Sequence, residues 1–120
     1  MIRGIRGATT VSENTSELII ENTKKLIEEM AELNSVHPED IASVMISATA
    51  DIDADFPAKS LRMIEGWKYV PVMCMRELDV NNSLERCIRI MMTVNTTLTQ
   101  HAIQHVYHNE AIKLRPDLLS

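Results

Sequence analysis

The stretch "CIRIMMTV", residues 87–94, decides the fold because it predicts a β-strand with one fully apolar face. Alternate side chains of a strand point to opposite sides, so the run divides into two faces: Ile88, Ile90, Met92 and Val94 on one, and Cys87, Arg89, Met91 and Thr93 on the other. Arg89 keeps its charge, and its burial costs several kcal/mol unless an anion faces it. We therefore expect an anion opposite Arg89, either an Asp or Glu side chain or a bound ligand.

The composition of the chain indicates a single domain over residues 1–120, with 45% hydrophobic residues to form its core. A net charge of -5 argues against binding to nucleic acid or an anionic membrane, which would need a basic face. No apolar run has the length of a membrane span, and the N-terminus "MIRGIRGATT" lacks the apolar stretch of a signal peptide. We therefore expect a cytoplasmic protein in which Cys74 and Cys87 are reduced thiols.

The order of predicted elements around residues 87–94 indicates an α+β domain. Strands are predicted at "MIRGIRGAT", "SVMISAT", "KYVPVMCM" and "RCIRIMMTV", a long helix at "TSELIIENTKKLIEEMAELN", shorter helices at "HPEDIA" and "PAKSLRMIE", and short strands at "HVYH" and "AIKL", before a tail "RPDLLS". Gly4 and Gly7 in the first strand allow close backbone approach. The order β-α-β-α-β-β predicts a mixed β-sheet with helices on one face.

The long helix is predicted from both its start and its apolar face. Asn14 with Glu17 three residues later resembles a capping box. Apolar or small residues recur at helical spacing: Ile19, Thr23, Leu26, Ile27, Met30 and Leu33. A single layer of helices covers only one face of the predicted sheet, and the strands carry more apolar surface than that layer hides. We therefore expect an oligomer with sites built between subunits.

Two motifs suggest metal binding, and neither meets its requirements. "DIDAD" opens like a calcium loop, but Phe56 and Arg62 stand where Gly and Glu are needed, so a solvated acidic loop is favoured. His101, His105 and His108 lack a placed carboxylate ligand, and a strand at 105–108 would turn two of them to opposite faces. We therefore expect no metal site.

The cationic side chains are the stronger signal for function. They are Arg6 at the end of the first strand, Lys59 and Arg62 three residues apart, Arg89 within its strand, and Arg115 after "AIKL". Glu77 and Cys74 belong to a strand that could neighbour Arg89, but no base is placed to activate the thiol. The residues by themselves predict a pocket for a small anion between subunits and identify no reaction.

Five stretches together resemble one family: "RGIRGATTV", "FPAKSLR", "GWKYVPVMCMRELDV", "CIRIMMTVNT" and "HVYHNEAIKLRPDL". In this order and spacing they are similar to the trimeric, monofunctional chorismate mutases of the pseudo-α/β-barrel type. The resemblance implies the rearrangement of chorismate to prephenate in phenylalanine and tyrosine biosynthesis, by a homotrimer without a cofactor. Chorismate carries two carboxylates, so the substrate is an anion that Arg89 could face.

The resemblance also implies roles for individual residues. Arg89 matches the residue that faces the ether oxygen of the breaking bond, and Glu77 and Cys74 match groups near the ring hydroxyl. The other matches are carboxylate contacts (Arg6 and Tyr107), a wall from a neighbouring subunit (Phe56, Ala58, Lys59 and Arg62), apolar lining (Val72 and Leu114) and a residue near the site mouth (Arg115).

The chain departs from the family pattern at two positions near the expected site. Met73 stands where a threonine is usual, and Asp55 adds a negative charge beside Phe56 where an apolar residue is commoner. Two other functions use similar residues: a non-catalytic binder of a dianionic metabolite, and a trimeric barrel enzyme that hydrolyses imines with an interfacial arginine. Loss of chorismate on mixing with the protein distinguishes the three.

Overall fold

The computed structural model describes residues 1–114. Its regular elements, in chain order, are β1 (Ile2–Thr10), α1 (Ser16–Leu33), a 3₁₀ turn (Pro38–Asp40), β2 (Ile41–Ala48), a 3₁₀ helix (Pro57–Met63, here named the wall helix), β3 (Val72–Arg76), β4 (Cys87–Asn95), a 3₁₀ turn (Gln100–Ala102), β5 (Val106–Tyr107) and a 3₁₀ helix (Asn109–Leu114). The α+β class is therefore confirmed, with one α-helix and a mixed sheet.

The strand predicted from "CIRIMMTV" is the middle strand of five, in the order β3-β2-β4-β1-β5. β4 pairs antiparallel with both neighbours, whereas β3 joins β2, and β5 joins β1, in parallel. The predicted alternation is confirmed, since one face of β4 is at most 3% exposed: Ile88, Ile90, Met92 and Val94. Because β4 is hydrogen-bonded on both sides, it fixes which residues of β1 and β2 lie beside Arg89.

Helix α1 begins at a different cap from the one predicted. Thr15 is the N-cap, and its Oγ1 accepts a hydrogen bond from the Leu18 backbone N–H at 3.3 Å. Asn14 does not cap the helix because its side chain is hydrogen-bonded to the backbone of the loop at residues 53–54. The predicted face is otherwise buried, except that Leu33 is 43% exposed and Ala31, one turn after Ile27, is buried instead.

Helix α1 and the wall helix cover one face of the sheet. They contact each other, and α1 also packs on β1. Gly7 permits this packing, since a Cβ at this position would overlap the side chain of Met30. The predicted close approach is therefore observed at Gly7, and it brings the helix axis near the sheet beside β5.

Three predicted elements differ in the structure. The short helix predicted at "HPEDIA" is a three-residue 3₁₀ turn, Pro38–Asp40, and Ile41 already begins β2. The segment at Pro57 is a 3₁₀ helix rather than an α-helix, and it ends at Met63, before Gly66. "AIKL" lies in a 3₁₀ helix rather than a strand, because Asn109 has a positive φ of 55° that turns the chain out of β5. The Asn109 side chain stabilises this turn by donating to Thr9 Oγ1 at 3.1 Å and to Thr10 O at 3.0 Å. "RPDLLS" lies outside the described residues.

The sheet face opposite α1, here named the outer face, carries an exposed row of methionines. Register aligns Met73, Met45 and Met91 on adjacent strands, and these side chains are 65%, 45% and 40% exposed. This is the uncovered apolar surface that the sequence predicts, and patches of this kind usually contact a partner. Within residues 1–114, none of the helices combines the length and apolar character needed to cross a membrane.

Candidate active site

A transverse row of residues on the outer face crosses all five strands and contains two of the predicted site residues, Arg89 and Tyr107. Register pairs Met75 with Ser47, Ser47 with Arg89, Arg89 with Ala8, and Ala8 with Tyr107. Paired residues of adjacent strands project to the same side of a sheet. The small side chain of Ala8 therefore separates Arg89 from Tyr107 and leaves space between them above the sheet.

The anion opposite Arg89 in the single chain is Glu77. The Arg89 Nε lies 3.3 Å from Glu77 Oε2, and the same oxygen accepts a hydrogen bond from Ser47 Oγ at 2.8 Å. The other oxygen, Oε1, accepts from the Leu78 backbone N–H at 3.1 Å. The expectation that Arg89 is desolvated is wrong for the single chain, because its side chain is 49% exposed where no second layer covers the outer face.

A cavity of about 380 Å³ lies on the outer face beside this row, and we name it the arginine cavity. Its lining includes four residues predicted for the site: Arg6, Arg89, Tyr107 and Leu114. Arg6 lies in the neighbouring row, opposite Met91, and its backbone N–H donates to His105 Nδ1 at 2.9 Å. Two arginines and a tyrosine around a cavity of this size suit a small anionic ligand.

Arg89 also borders a second, smaller recess formed with Glu77 and Cys87. Burial raises the pKa of the Cys87 thiol, and this outweighs the opposing effect of the Arg89 guanidinium, whose charge and hydrogen bond lower it. The thiol is therefore protonated near neutral pH and acts as a small, weakly polar neighbour of Arg89.

The remaining predicted residues line a separate, wider cavity of about 690 Å³, here named the wall cavity. Its lining comes from the wall helix, the residue before it, the loop at residues 67–70 and the edge strand β3, and it includes Phe56, Ala58, Lys59, Arg62, Val72, Met73 and Cys74. Lys68, which the sequence analysis did not select, adds a third cation. The two cavities share no lining residue among residues 1–114, so one chain presents the predicted site in two parts. Arg115 lies outside the described residues.

Cys74 is the predicted residue whose position differs most from expectation. It pairs with Ile46, which in turn pairs with Ile90 of the buried face, so it lies on the opposite side of the sheet from Arg89. Burial raises the pKa of its thiol, although a hydrogen bond from the Ala58 backbone opposes the rise. A raised pKa is the reverse of what a thiolate nucleophile requires.

The sequence favours a solvated acidic loop, but each of its three carboxylates has a partner in the structure. Asp51 accepts from the Arg86 backbone N–H at 2.9 Å, Asp53 accepts from Asn14 Nδ2 at 2.6 Å, and Asp55 pairs with Lys59 at 2.8 Å. Each carboxylate therefore holds a different segment, and the loop joins α1, the wall helix and the start of β4.

Two of the three histidines discounted as metal ligands have separate partners. His105 accepts from the Arg6 backbone, and His108 pairs with Glu29 on α1. Within residues 1–114, no three His, Cys, Asp or Glu side chains are grouped to hold a metal ion.

Sequence reasoning missed Ser47 and Ala8. Both depend on strand register, because Ser47 contacts Glu77 across two strands and Ala8 sets the distance between Arg89 and Tyr107. The only signal for Ser47 was its spacing of two residues from Met45 in "SVMISAT", which predicts a shared face but no partner.

The chain has an α+β fold, and its two cavities carry arginine and lysine side chains of the kind that suits a small anionic molecule. The chorismate mutase type I family model matches residues 2–118, so the chain belongs to that family. It is 53% identical to chorismate mutase AroH of Bacillus subtilis over 98% of this chain and 93% of that protein. It is 44% identical to chorismate mutase AroH of Thermus thermophilus over 100% of this chain and 98% of that protein. A solved chorismate mutase structure from Clostridium thermocellum superposes with a TM-score of 0.87 at 51% identity, covering 90% of this chain and 96% of that one.

Proposed function

We propose that this chain is a chorismate mutase, an intramolecular isomerase that rearranges chorismate to prephenate on the route to phenylalanine and tyrosine. The family match over residues 2–118 and the two curated relatives support the reaction. The observation that carries the site is the position of Arg89 on the outer face, in one row with Tyr107. The dianionic substrate suits a cavity with several fixed donors.

The chemistry of this rearrangement explains why the site needs no nucleophile or cofactor. The ether C–O bond breaks and a C–C bond forms within one molecule, without a covalent intermediate or proton transfer. The enzyme must hold a flexible substrate in a chair-like, near-attack shape. It must also stabilise the negative charge that grows on the ether oxygen as the bond stretches, which a fixed cation does.

Arg89 is the residue we assign to the ether oxygen. Glu77 engages its Nε at 3.3 Å, and a guanidinium has five N–H donors, so the others stay available to the substrate. Glu77 is itself fixed by Ser47 Oγ and the Leu78 N–H. This network orients Arg89 before the substrate arrives, so little reorganisation is needed in the transition state.

The remaining assignments follow the family resemblance. Arg6 and Tyr107 would contact substrate carboxylates, while Glu77 and Cys74 would lie near the ring hydroxyl. The other assignments are the wall residues (Phe56, Ala58, Lys59, Arg62 and Met73), the apolar lining (Val72 and Leu114) and Arg115 at the mouth. In a complete site, the wall residues and Cys74 would come from a neighbouring subunit.

We infer a homotrimeric pseudo-α/β-barrel, which the family resemblance implies and which this division of the site supports. The two cavities have separate linings, and Met45, Met73 and Met91 leave the outer face apolar and exposed. A neighbour placed over this face would bury the methionines and remove water from around Arg89, which strengthens its interaction with the ether oxygen. We also propose a cytoplasmic location, which the two free cysteines suit.

A direct test is to mix the purified protein with chorismate and follow its loss and the appearance of prephenate. We expect turnover that survives EDTA and reducing agents. Chorismate binding without turnover would instead favour a metabolite-binding protein, and hydrolysis of reactive imines without loss of chorismate would favour the other barrel enzyme.

The assembly has its own measurement. Light scattering at micromolar concentration should give three times the monomer mass. A stable monomer that still converts chorismate would contradict the shared site but leave the reaction intact.

A further inference from the structure

Asp55 is the most constrained carboxylate beside the wall cavity. Its Oδ1 lies 2.8 Å from Lys59 Nζ and accepts the Phe56 backbone N–H at 2.8 Å. Its Oδ2 accepts the Ser16 hydroxyl at 2.5 Å. The carboxylate therefore has three donors, and they come from the first turn of α1, from the residue before the wall helix and from the wall helix itself.

The loop that carries Asp55 is tied to α1 by a second contact. Asn14 Oδ1 accepts from the backbone N–H groups of Asp53 and Ala54, each at 3.1 Å, and Asn14 Nδ2 donates to Asp53 Oδ1 at 2.6 Å. The start of α1 is in turn anchored in the core through Ile19, which is fully buried. Asp55 is thus held on a rigid support rather than on a free loop.

Lys59 is held by Asp55 on one side and is open to the wall cavity on the other. Its side chain is 47% exposed and lines the wall cavity, whereas the Asp55 side chain is only 13% exposed. A free lysine side chain has many rotamers, and fixing them costs entropy when a ligand binds. The Asp55 contact restricts the ammonium before any ligand arrives, while two of its three donor hydrogens stay available.

We propose that Asp55 is a positioning residue that holds Lys59 at the wall cavity to receive a substrate carboxylate, with Ser16 orienting Asp55. The inference rests on the proposed function, in which Lys59 contacts chorismate. The Lys59 hydrogen bond, followed by those from Ser16 and the Phe56 backbone, lowers the pKa of Asp55 from 3.8 to about 2. Asp55 is therefore ionised throughout the range in which the enzyme would work.

Two simpler roles for Asp55 make different predictions. As a competing counter-ion it would weaken the pull of Lys59 on the substrate, so its removal would lower KM. As a support for the loop alone it would act in the same way whether or not residue 59 is a lysine. A positioning role requires that its effect depend on Lys59, and a double-mutant cycle measures this dependence.

The experiment measures chorismate turnover by Asp55→Asn, Lys59→Met and the double variant. Asp55→Asn should raise KM about 1.5- to fivefold, the range of an exposed or helix-borne ion pair, with kcat nearly unchanged. In the Lys59→Met background the same substitution should leave KM unchanged. Ser16→Ala should raise KM in the same direction by less. Glu21→Gln is the control for the lost negative charge, since Glu21 pairs with Lys25 on the exposed side of α1, and should leave KM unchanged.

The possible outcomes separate the alternatives. A lowered or unchanged KM in Asp55→Asn, or a rise of equal size in the Lys59→Met background, would overturn the positioning role. If the unsubstituted chain does not convert chorismate, the proposed function fails and this inference fails with it. Turnover by the unsubstituted chain without coupling between residues 55 and 59 overturns the inference alone.

Discussion

The arginine cavity and the wall cavity hold cations in two different ways. Arg6 and Arg89 lie on adjacent sheet strands, so their separation is set by the β1–β4 register. Lys59 and Arg62 lie three residues apart on a short 3₁₀ helix, so their separation follows from local geometry. The first cavity depends on residues distant in sequence, and the second is largely a single continuous segment beside an edge strand.

The difference between the two cavities also concerns their counter-ions. Arg89 is paired with a carboxylate that is itself fixed by Ser47 across the sheet, whereas Lys59 is paired with Asp55 in the same loop-helix segment. We infer that the arginine cavity mainly stabilises the transition state, and that the wall cavity mainly binds the substrate. Substitutions in the two cavities should therefore affect kcat and KM differently.

The largest effect is expected at Arg89. Arg89→Ala removes the charge aimed at the ether oxygen and should lower kcat by roughly 10²–10³-fold, as loss of one preorganised donor does. Arg89→Lys keeps a charge without the planar fork and should recover part of this loss. Steady-state kinetics measures both, and thermal unfolding checks that each variant is folded. A kcat that is unchanged while KM rises would make Arg89 a ground-state anchor.

A smaller and different effect is expected in the wall cavity. Arg62→Met should raise KM roughly ten- to a hundredfold, since a hydrogen bond to a charged group contributes about 1.5–3 kcal/mol, and should change kcat less than Arg89→Ala does. Lys25→Met is the matched control for the lost positive charge, because Lys25 pairs with Glu21 on the exposed side of α1. If Arg62→Met lowered kcat as much as Arg89→Ala, the proposed division between the cavities would be wrong.

The smallest effect concerns acid stability at Asp55. Its pKa is lowered from 3.8 to about 2 in the folded chain, so its contribution to the free energy of unfolding is complete above about pH 4 and is lost as the pH falls toward 2. The stability difference between the unsubstituted chain and Asp55→Asn, measured by chemical denaturation, should therefore be constant above pH 5 and shrink between pH 4 and 2. A difference that stays constant down to pH 2 would contradict the Asp55–Lys59 pair.

The sequence predicted the parts of the fold that depend on local pattern. β4 was found from strict alternation, and α1 from its apolar face, because both are long and periodic. The strand predicted at "AIKL" was wrong because the turn at Asn109 depends on hydrogen bonds to Thr9 and Thr10. These residues are about a hundred positions distant in sequence. Non-local partners of this kind leave no periodic signal.

The sequence predicts candidate site residues but not their arrangement. Glu77 was recognised as a possible neighbour of Arg89, and the two form an ion pair. Cys74 was grouped with Glu77 because both were placed beside Arg89 through one strand, although a spacing of three residues along a strand already favours opposite faces. The division into two cavities could not be read from the sequence, because it depends on which strand lies at the edge of the sheet.

The central claim is that one complete site needs the arginine cavity of one subunit and the wall cavity of another. The most direct test is to co-express Arg89→Ala with the double variant Lys59→Met/Arg62→Met and measure chorismate turnover at low substrate concentration. Random mixing in a ring of three subunits joins an intact arginine cavity to an intact wall cavity in about one quarter of the sites. We therefore predict about a quarter of the unsubstituted activity from two chains that are each nearly inactive alone. Activity no greater than that of the separate variants, in trimers verified to contain both chains, would contradict the account.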